Sequence, residues 1–281
     1  MAGAAPSHFA FLGEGWDNVL FLLDDERIVR FAKDARTARM LKTEAALLRI
    51  IGPLLPVPVP QPEFVARPPA APDVALMVYR RIDGVPLDQL ALDNALVTEI
   101  APSLAAALDA LHGIAATALD TLEIPRFTAG GWVERHRTLY QRTRDDVRDG
   151  LSAQAFERYE AWWRDYLSDP IYRDFEPCLV HGDLASEHLL VDAESKMLRG
   201  IIDFGDAMWA DPVLDLAGLP DPVARAVVAG MQSMTAARGV WMRRAAYRRI
   251  APLHAVFAGR DLARPALLES GIAALRRLAS S

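Results

Sequence analysis

The chain has 281 residues, 52% hydrophobic and 24% charged, with 31 basic against 37 acidic side chains and a formal net charge of −6. That apolar content at modest charge excludes a mainly disordered chain and suffices for one large domain or two lobes. The negative balance argues against nucleic acid as a partner, and the apolar runs Ile50–Pro60 and Leu104–Leu119 are broken before the ~20 residues of a membrane span.

From the start, Met1–Asn18 has no basic opening and no long apolar run, so no secretory signal is expected. Phe9–Leu12, Val19–Leu23 and Arg27–Ala32 read as strands, with Gly13–Asp17 and Asp24–Glu26 as turns. Asp34 precedes a helical pattern that Gly52-Pro53 stops. Leu55–Pro62, with four prolines, reads as an extended connector. Val74–Ile82 is the next strand, and Asp83-Gly84 turns out of it. Leu92–His112, Trp132–Val147 and Ser152–Leu167 carry helical spacing. Cys178, whose lack of a second cysteine rules out an internal disulfide and fits a reducing cytoplasm, opens three short β-type runs: Cys178–Val180, His188–Val191 and Leu198–Ile202. Asp221–Ala279 reads as three helices. A strand-rich piece followed by a helix-rich one predicts an α+β, two-lobed protein, with a cleft between lobes as the usual ligand site.

Charge is distributed unevenly. Residues 120–220 carry 20 acidic and 11 basic side chains, and residues 221–281 carry 3 and 10. Solvated helix faces account for such runs in most proteins; an acidic third lining a cleft for a cation is the alternative.

The densest polar cluster is His181-Gly182-Asp183-Leu184-Ala185-Ser186-Glu187-His188, between two apolar strands. Asp203-Phe204-Gly205-Asp206 follows the next strand. Hairpin pairing would bring Asp183, His188 and Asp203 to one spot, where two carboxylates and an imidazole position a hard divalent cation and leave one carboxylate as a base. Polar loop residues that merely hydrogen-bond their turns are the bland reading; three ionisable groups at strand ends in one hairpin favour function. Near the start, Gly13-Glu14-Gly15-Trp16-Asp17-Asn18 lets backbone amides approach phosphate oxygens, a weak signal alone. Arg30 on the following strand and Glu44 on the following helix have the spacing of a cation and carboxylate that meet beside phosphates.

On these residues, with the connector through Pro62 and Asp211–Leu216, the chain resembles the aminoglycoside phosphotransferase family over nearly its whole length, and most closely its 2″-phosphotransferases. The resemblance implies a protein-kinase-like fold with a nucleotide-binding lobe over residues 1–82 and a helical lobe over 83–281. It implies transfer of a γ-phosphate from GTP or ATP, with Mg2+, to a hydroxyl of a small acceptor in the cytoplasm. Asp183 matches the catalytic aspartate and Asp203 the magnesium-holding one. His188 falls where most of the family has a metal-binding Asn, and some members a His. His181 and Asp215 match structural positions.

Gly13, Gly15, Asn18, Arg30 and Glu44 match the phosphate side of the nucleotide site, with Arg30 in place of the usual Lys. Tyr79, Arg80 and Ile82 lie in the hinge Tyr79–Gly84, with Tyr79 at the gatekeeper position, which in the 2″-phosphotransferases goes with guanine nucleotides. Glu187 and Asp206 are the acids expected to meet an aminoglycoside. Against a polycation, the final 61 residues offer only Asp221, Asp261 and Glu269 beside ten Arg; their Trp241, Tyr247 and Phe257 read as core or as an apolar acceptor wall. A kinase of a macrolide or other hydroxylated metabolite, and a non-catalytic nucleotide-binding relic, remain alternatives.

Overall fold

A computed structural model describes residues 8–15, 17–67, 74–232, 234 and 239–280. Trp16 of the glycine turn lies outside them, as do Met1–Ser7 and Arg238. The chain divides into two compact units, one of Met1–Pro125, His181–Met208 and Leu219–Thr235, the other of Arg126–Val180, Trp209–Gly218 and Ala236–Ser281. The fold is α+β, as expected.

In the first unit, β1 (Phe9–Glu14), β2 (Asn18–Leu23), β3 (Arg27–Ala32), β4 (Pro62–Ala66) and β5 (Leu76–Arg80) form an antiparallel sheet in the order β1-β2-β3-β5-β4. Two readings change here. β1 continues through Gly13 and Glu14, its register shifting by a bulge between Phe11 and Gly13, so only Gly15 onward is turn. β4 begins inside the proline connector, with Pro62 as its first residue on the sheet edge, where a missing N–H costs no ladder bond. Helix α1 (Ala35–Ile51) opens on Asp34, which accepts from Thr37 N at 2.8 Å in a capping box, and ends at Gly52. It buries Leu41, Leu47, Leu48 and Ile51, a stripe set by helical periodicity. Strand alternation places Ile28, Arg30 and Ala32 on one face of β3, and all three are buried.

β6 (Val85–Pro86), β8 (Leu189–Val191) and β9 (Leu198–Ile201) make a second, three-stranded sheet in the order β6-β8-β9. The connector is tied to it, because Ile201 N donates to the Pro58 carbonyl at 3.0 Å. At Gly200 the backbone comes so close to Pro58 and Ile82 that an added Cβ would lie 2.8 Å from the Pro58 oxygen. Helix α2 (Asn94–His112), capped by Asp93, packs on α5 (Asp221–Gly230).

The second unit holds α3 (Ala129–Gly150), α4 (Ala153–Ser168), β7 (Cys178–Val180), α6 (Val240–Ile250), α7 (Pro252–Asp261) and α8 (Pro265–Ser280). β7 pairs with β10 (Met208–Ala210), a strand the apolar pattern was too short to reveal. The region after Asp221 contains four helices where three were expected; Pro252 and Pro265 each begin a new helix, the position in which proline is tolerated. The core of this unit is polar at its centre. Asp211 is fully buried, accepting from Arg243 Nε at 2.7 Å and from the Tyr247 hydroxyl at 2.6 Å on one oxygen, and from Val213 N at 3.0 Å on the other. Trp132 Nε1 donates to the Tyr247 oxygen at 3.0 Å. Removing the cation would leave a buried carboxylate unpaired. Arg243→Met is therefore expected to cost about 3–5 kcal/mol of stability, read as a lower midpoint in urea unfolding; a shift under about 1 kcal/mol, the scale of a surface pair, would show the network to be incidental.

Candidate active site

The residues singled out by spacing converge inside the first unit. Leu189 pairs with Ile201, and Ile202 N donates to the His188 carbonyl at 3.0 Å, so His188 and Asp203 sit at adjacent ends of one hairpin. Their side chains face each other, His188 Nε2 lying 3.7 Å from Asp203 Oδ2. Asp203 takes a left-handed conformation with φ 68°, a backbone state costly for a residue with a Cβ and maintained only where surrounding contacts hold it.

Two histidines assemble the loop between β7 and β8. His181 is buried, and its Nε2 lies 2.9 Å from the Ile202 carbonyl while its Nδ1 faces Asp183 N at 3.3 Å. Carbonyl oxygens only accept, so the ring donates from Nε2 and accepts at Nδ1. In the same way His188 Nδ1, 2.7 Å from the Asp183 carbonyl, must be the donor. In the neutral ring this leaves the Nε2 lone pair directed at a carboxylate oxygen. Gly182, with φ 88°, completes the loop where no side chain fits: an added Cβ would stand 2.1 Å from the Asp206 carbonyl oxygen.

The electrostatics separate the two aspartates. Burial pushes Asp183 up to about 6 against the pull of His188, with Asp206, Asp203 and Glu187 adding to the rise. Those three carboxylates therefore lie within electrostatic reach of Asp183. Burial also opposes the charge on Asp203, but the Arg30 guanidinium beside it holds its carboxyl below the ordinary value. The two environments push the aspartates apart, Asp183 up and Asp203 down.

Arg30 lies on the α1-facing side of β3 and Glu44 on the buried stripe of α1, both almost inaccessible. Arg30 Nη1 donates to Glu44 Oε1 at 2.7 Å and Nη2 to Asp203 Oδ1 at 3.1 Å. Burial disfavours its charge, yet Glu44 and Asp203 more than offset that and raise its pKa. Burial pushes Glu44 up against the pull of Arg30. Tyr79, diagonally across the ladder from Arg30, is buried and pushed up to about 12 by burial.

The remaining expected residues fall around this centre. β5 ends at Arg80, whose side chain pairs with Glu63, and Arg81–Gly84 is without regular structure, with Ile82 against Gly200. Nothing lies within 4 Å of a Cβ built on Gly13. Gly15 N donates to the Asn18 carbonyl at 2.9 Å, and Asn18 Oδ1 is buried with no partner among the described residues. Spacing gave no reason to select Lys33, yet its Nζ donates to the Gly15 carbonyl at 2.6 Å and meets Glu14 at 2.5 Å, bracing the turn. A lone lysine just past a strand carries no sequence signal that separates it from any surface charge.

In the second unit the basic tail is engaged within the fold. Besides Arg243, Arg244 donates to the Leu216 carbonyl, Arg260 to Asp146 and Arg276 to the Gly150 carbonyl, while Arg249 lies over Trp162. Tyr247 belongs to the buried network and Phe257 lies between Arg142 and Arg260, whereas Trp241 is 39% exposed. Asp215 is fully buried.

Residues 8–253 match the phosphotransferase enzyme family. The chain belongs to that family. Among solved structures, the GDP complex of wild-type aminoglycoside 2'-phosphotransferase-IIIa superposes with a TM-score of 0.90, over 99% of this chain and 94% of that one, at 22% identity. The apoenzyme of macrolide 2'-phosphotransferase MphH from Brachybacterium faecium gives 0.75 over 95% and 91%, at 20% identity. At these identities the likeness is one of fold. An uncharacterized protein of Bacillus subtilis (strain 168), YcbJ, is 31% identical over 118 residues, 40% of this chain, and the match spans only 35% of YcbJ.

For this phosphotransferase-family chain, Gly182→Ala combines a backbone clash with a conformation that costs of order 1–3 kcal/mol. It is expected to lower the melting temperature by several degrees; an unchanged value would mean that the loop does not need this close approach.

Proposed function

We propose that the protein is a small-molecule kinase that moves the γ-phosphate of a nucleoside triphosphate to a hydroxyl of an aminoglycoside-type acceptor. The observation that carries this reading is the convergence of Arg30, Glu44, Asp183, His188 and Asp203, drawn from four separate places in the chain, within one compact unit. In this reading residues 1–82 carry the nucleotide, with the turn Gly13–Asn18 over its phosphates and the backbone of Arg80 and Ile82 against its base. Residues 83–281 carry the catalytic loop and the acceptor. A cytoplasmic location goes with a triphosphate donor.

Asp183 orients the acceptor hydroxyl and takes its proton, a role suited to a carboxylate whose basicity is raised. Phosphoryl transfer asks little covalent chemistry of the protein; alignment and charge neutralisation dominate. No group of three or more His, Cys, Asp or Glu among the described residues is set to hold a metal alone. Two donors that converge fit an ion whose other positions are filled by phosphate oxygens and water. Asp203 Oδ2 and His188 Nε2 are those donors. A bound Mg2+ would supply charge neutralisation on the phosphates.

Asp206 and Glu187, which act on Asp183, support a cationic acceptor. A macrolide or another hydroxylated metabolite is the second reading, favoured only by the exposed Trp241. For the donor, the bulk of Tyr79 behind the base supports GTP over ATP.

Asp183→Ala is expected to lower turnover at least ~10²-fold with nucleotide binding retained; near-normal turnover would remove the assignment, and an unaltered protein that binds nucleotide but phosphorylates no acceptor would be a nucleotide-binding relic. Aminoglycosides and macrolides supplied with GTP or ATP in a coupled turnover assay identify acceptor and donor. The expected result is turnover on an aminoglycoside with GTP preferred, and equal or better use of ATP would refute the Tyr79 reading.

A further inference from the structure

The guanidinium of Arg30 donates to both Glu44 and Asp203, and its geometry constrains what it can do. Its side chain is 6% exposed, and each terminal nitrogen already donates to a different carboxylate. Glu44 is 2% exposed and comes from α1; Asp203 comes from the end of β9, 173 positions along the chain from Arg30. Arg30 itself is fixed in the middle of β3, paired with Leu20 on one side and Met77 on the other. A planar fork with two separated donor ends can span two carboxylates; a lysine ammonium, a single point charge, holds one of them well.

We infer that Arg30 is a positioning residue for Asp203 and not a phosphate-holding one: it fixes Oδ1 and thereby presents Oδ2 beside His188. The distances divide the labour on the Asp203 carboxylate. Oδ1 is 3.1 Å from Arg30 Nη2, and Oδ2 is 3.7 Å from His188 Nε2. With Oδ1 engaged, a single oxygen faces the imidazole. The left-handed backbone of Asp203 leaves the carboxylate dependent on such outside contacts for its orientation. Turning the guanidinium toward a phosphate would weaken its pairing with the buried Glu44 carboxylate, which is unfavourable. The inference rests on the kinase reading for the purpose of the site, but its test is one of binding.

The probes are Mn2+, followed by its paramagnetic resonance signal, and a non-hydrolysable GTP analogue, whose binding is measured with excess chelator as well. In Arg30→Lys the Mn2+ affinity at saturating analogue is expected to fall by about tenfold or more, the usual consequence of losing a partner that orients a metal ligand. Metal-free analogue affinity should change less than about twofold, since that contact does not involve phosphate. Glu44→Gln, which loosens the same guanidinium from its other side, should shift the two affinities in the same pattern and serves if the lysine variant fails to fold. In an Asp203→Asn background, Arg30→Lys should have no further effect on Mn2+. The opposite pattern, weakened metal-free binding with unchanged Mn2+ affinity, would overturn the inference and return Arg30 to the phosphates. A protein that binds Mn2+ and analogue as described yet phosphorylates no acceptor would instead refute the kinase reading while leaving the role of Arg30 standing.

Discussion

One buried cation joins the parts of the site. Arg30 emerges from the middle of a strand, meets a carboxylate on the helix packed beneath the sheet, and reaches a second carboxylate that follows a strand of another sheet. Taking a guanidinium and a glutamate out of water is expensive, and well-packed apolar residues would stabilise the fold as well or better. Such a triad is therefore better understood as a device for specificity of arrangement. Apolar contacts slide at little cost, whereas a misplaced charge in a dry interior does not, so the position of β3 relative to α1 and to Asp203 is held to the length of a hydrogen bond.

The same logic organises the loop around Asp183 through neutral groups. His181 reads the end of β9 through a carbonyl and passes the constraint to Asp183 N; His188 returns it through the Asp183 carbonyl. Each ring uses one nitrogen to satisfy backbone, and in His188 that choice decides what the other nitrogen offers to Asp203. Gly182 permits the close backbone approach on which this depends. Backbone anchoring holds the loop through main-chain groups without using the carboxylate of Asp183. The second unit contrasts with this: its Asp211 has both oxygens engaged, the mark of a carboxylate used for structure and not for chemistry.

Much of this was legible before any coordinates. The motif around His181–His188 and the Asp203-Phe204-Gly205-Asp206 run pointed to one spot because antiparallel pairing of adjacent short strands leaves few other arrangements. Glu44 could be matched to Arg30 from spacing because a strand followed at once by a helix brings residue positions of this separation face to face. The glycine turn was placed too early, since a bulge, which depends on the partner strand, let β1 run on to Glu14. β4 was hidden because an edge strand opening on proline has the composition of a linker. The C-terminal region was read as three helices because the apolar pattern alone does not mark the breaks at Pro252 and Pro265. The partners of tail arginines such as Arg244 and Arg276 are main-chain carbonyls far along the chain, which no local pattern reveals.

The amino-acid sequence by itself determined the α+β class, most of the strands and helices and the candidate site side chains, because periodicity, capping and turn chemistry are local properties of neighbouring residues. Only the tertiary structure decided which oxygen of Asp203 is engaged, which nitrogen of His188 is presented, and whether a charge such as Arg30 or Arg243 is buried and paired. Those outcomes are set by groups up to 173 positions apart in the chain, and no local pattern records the direction in which a folded backbone brings them together.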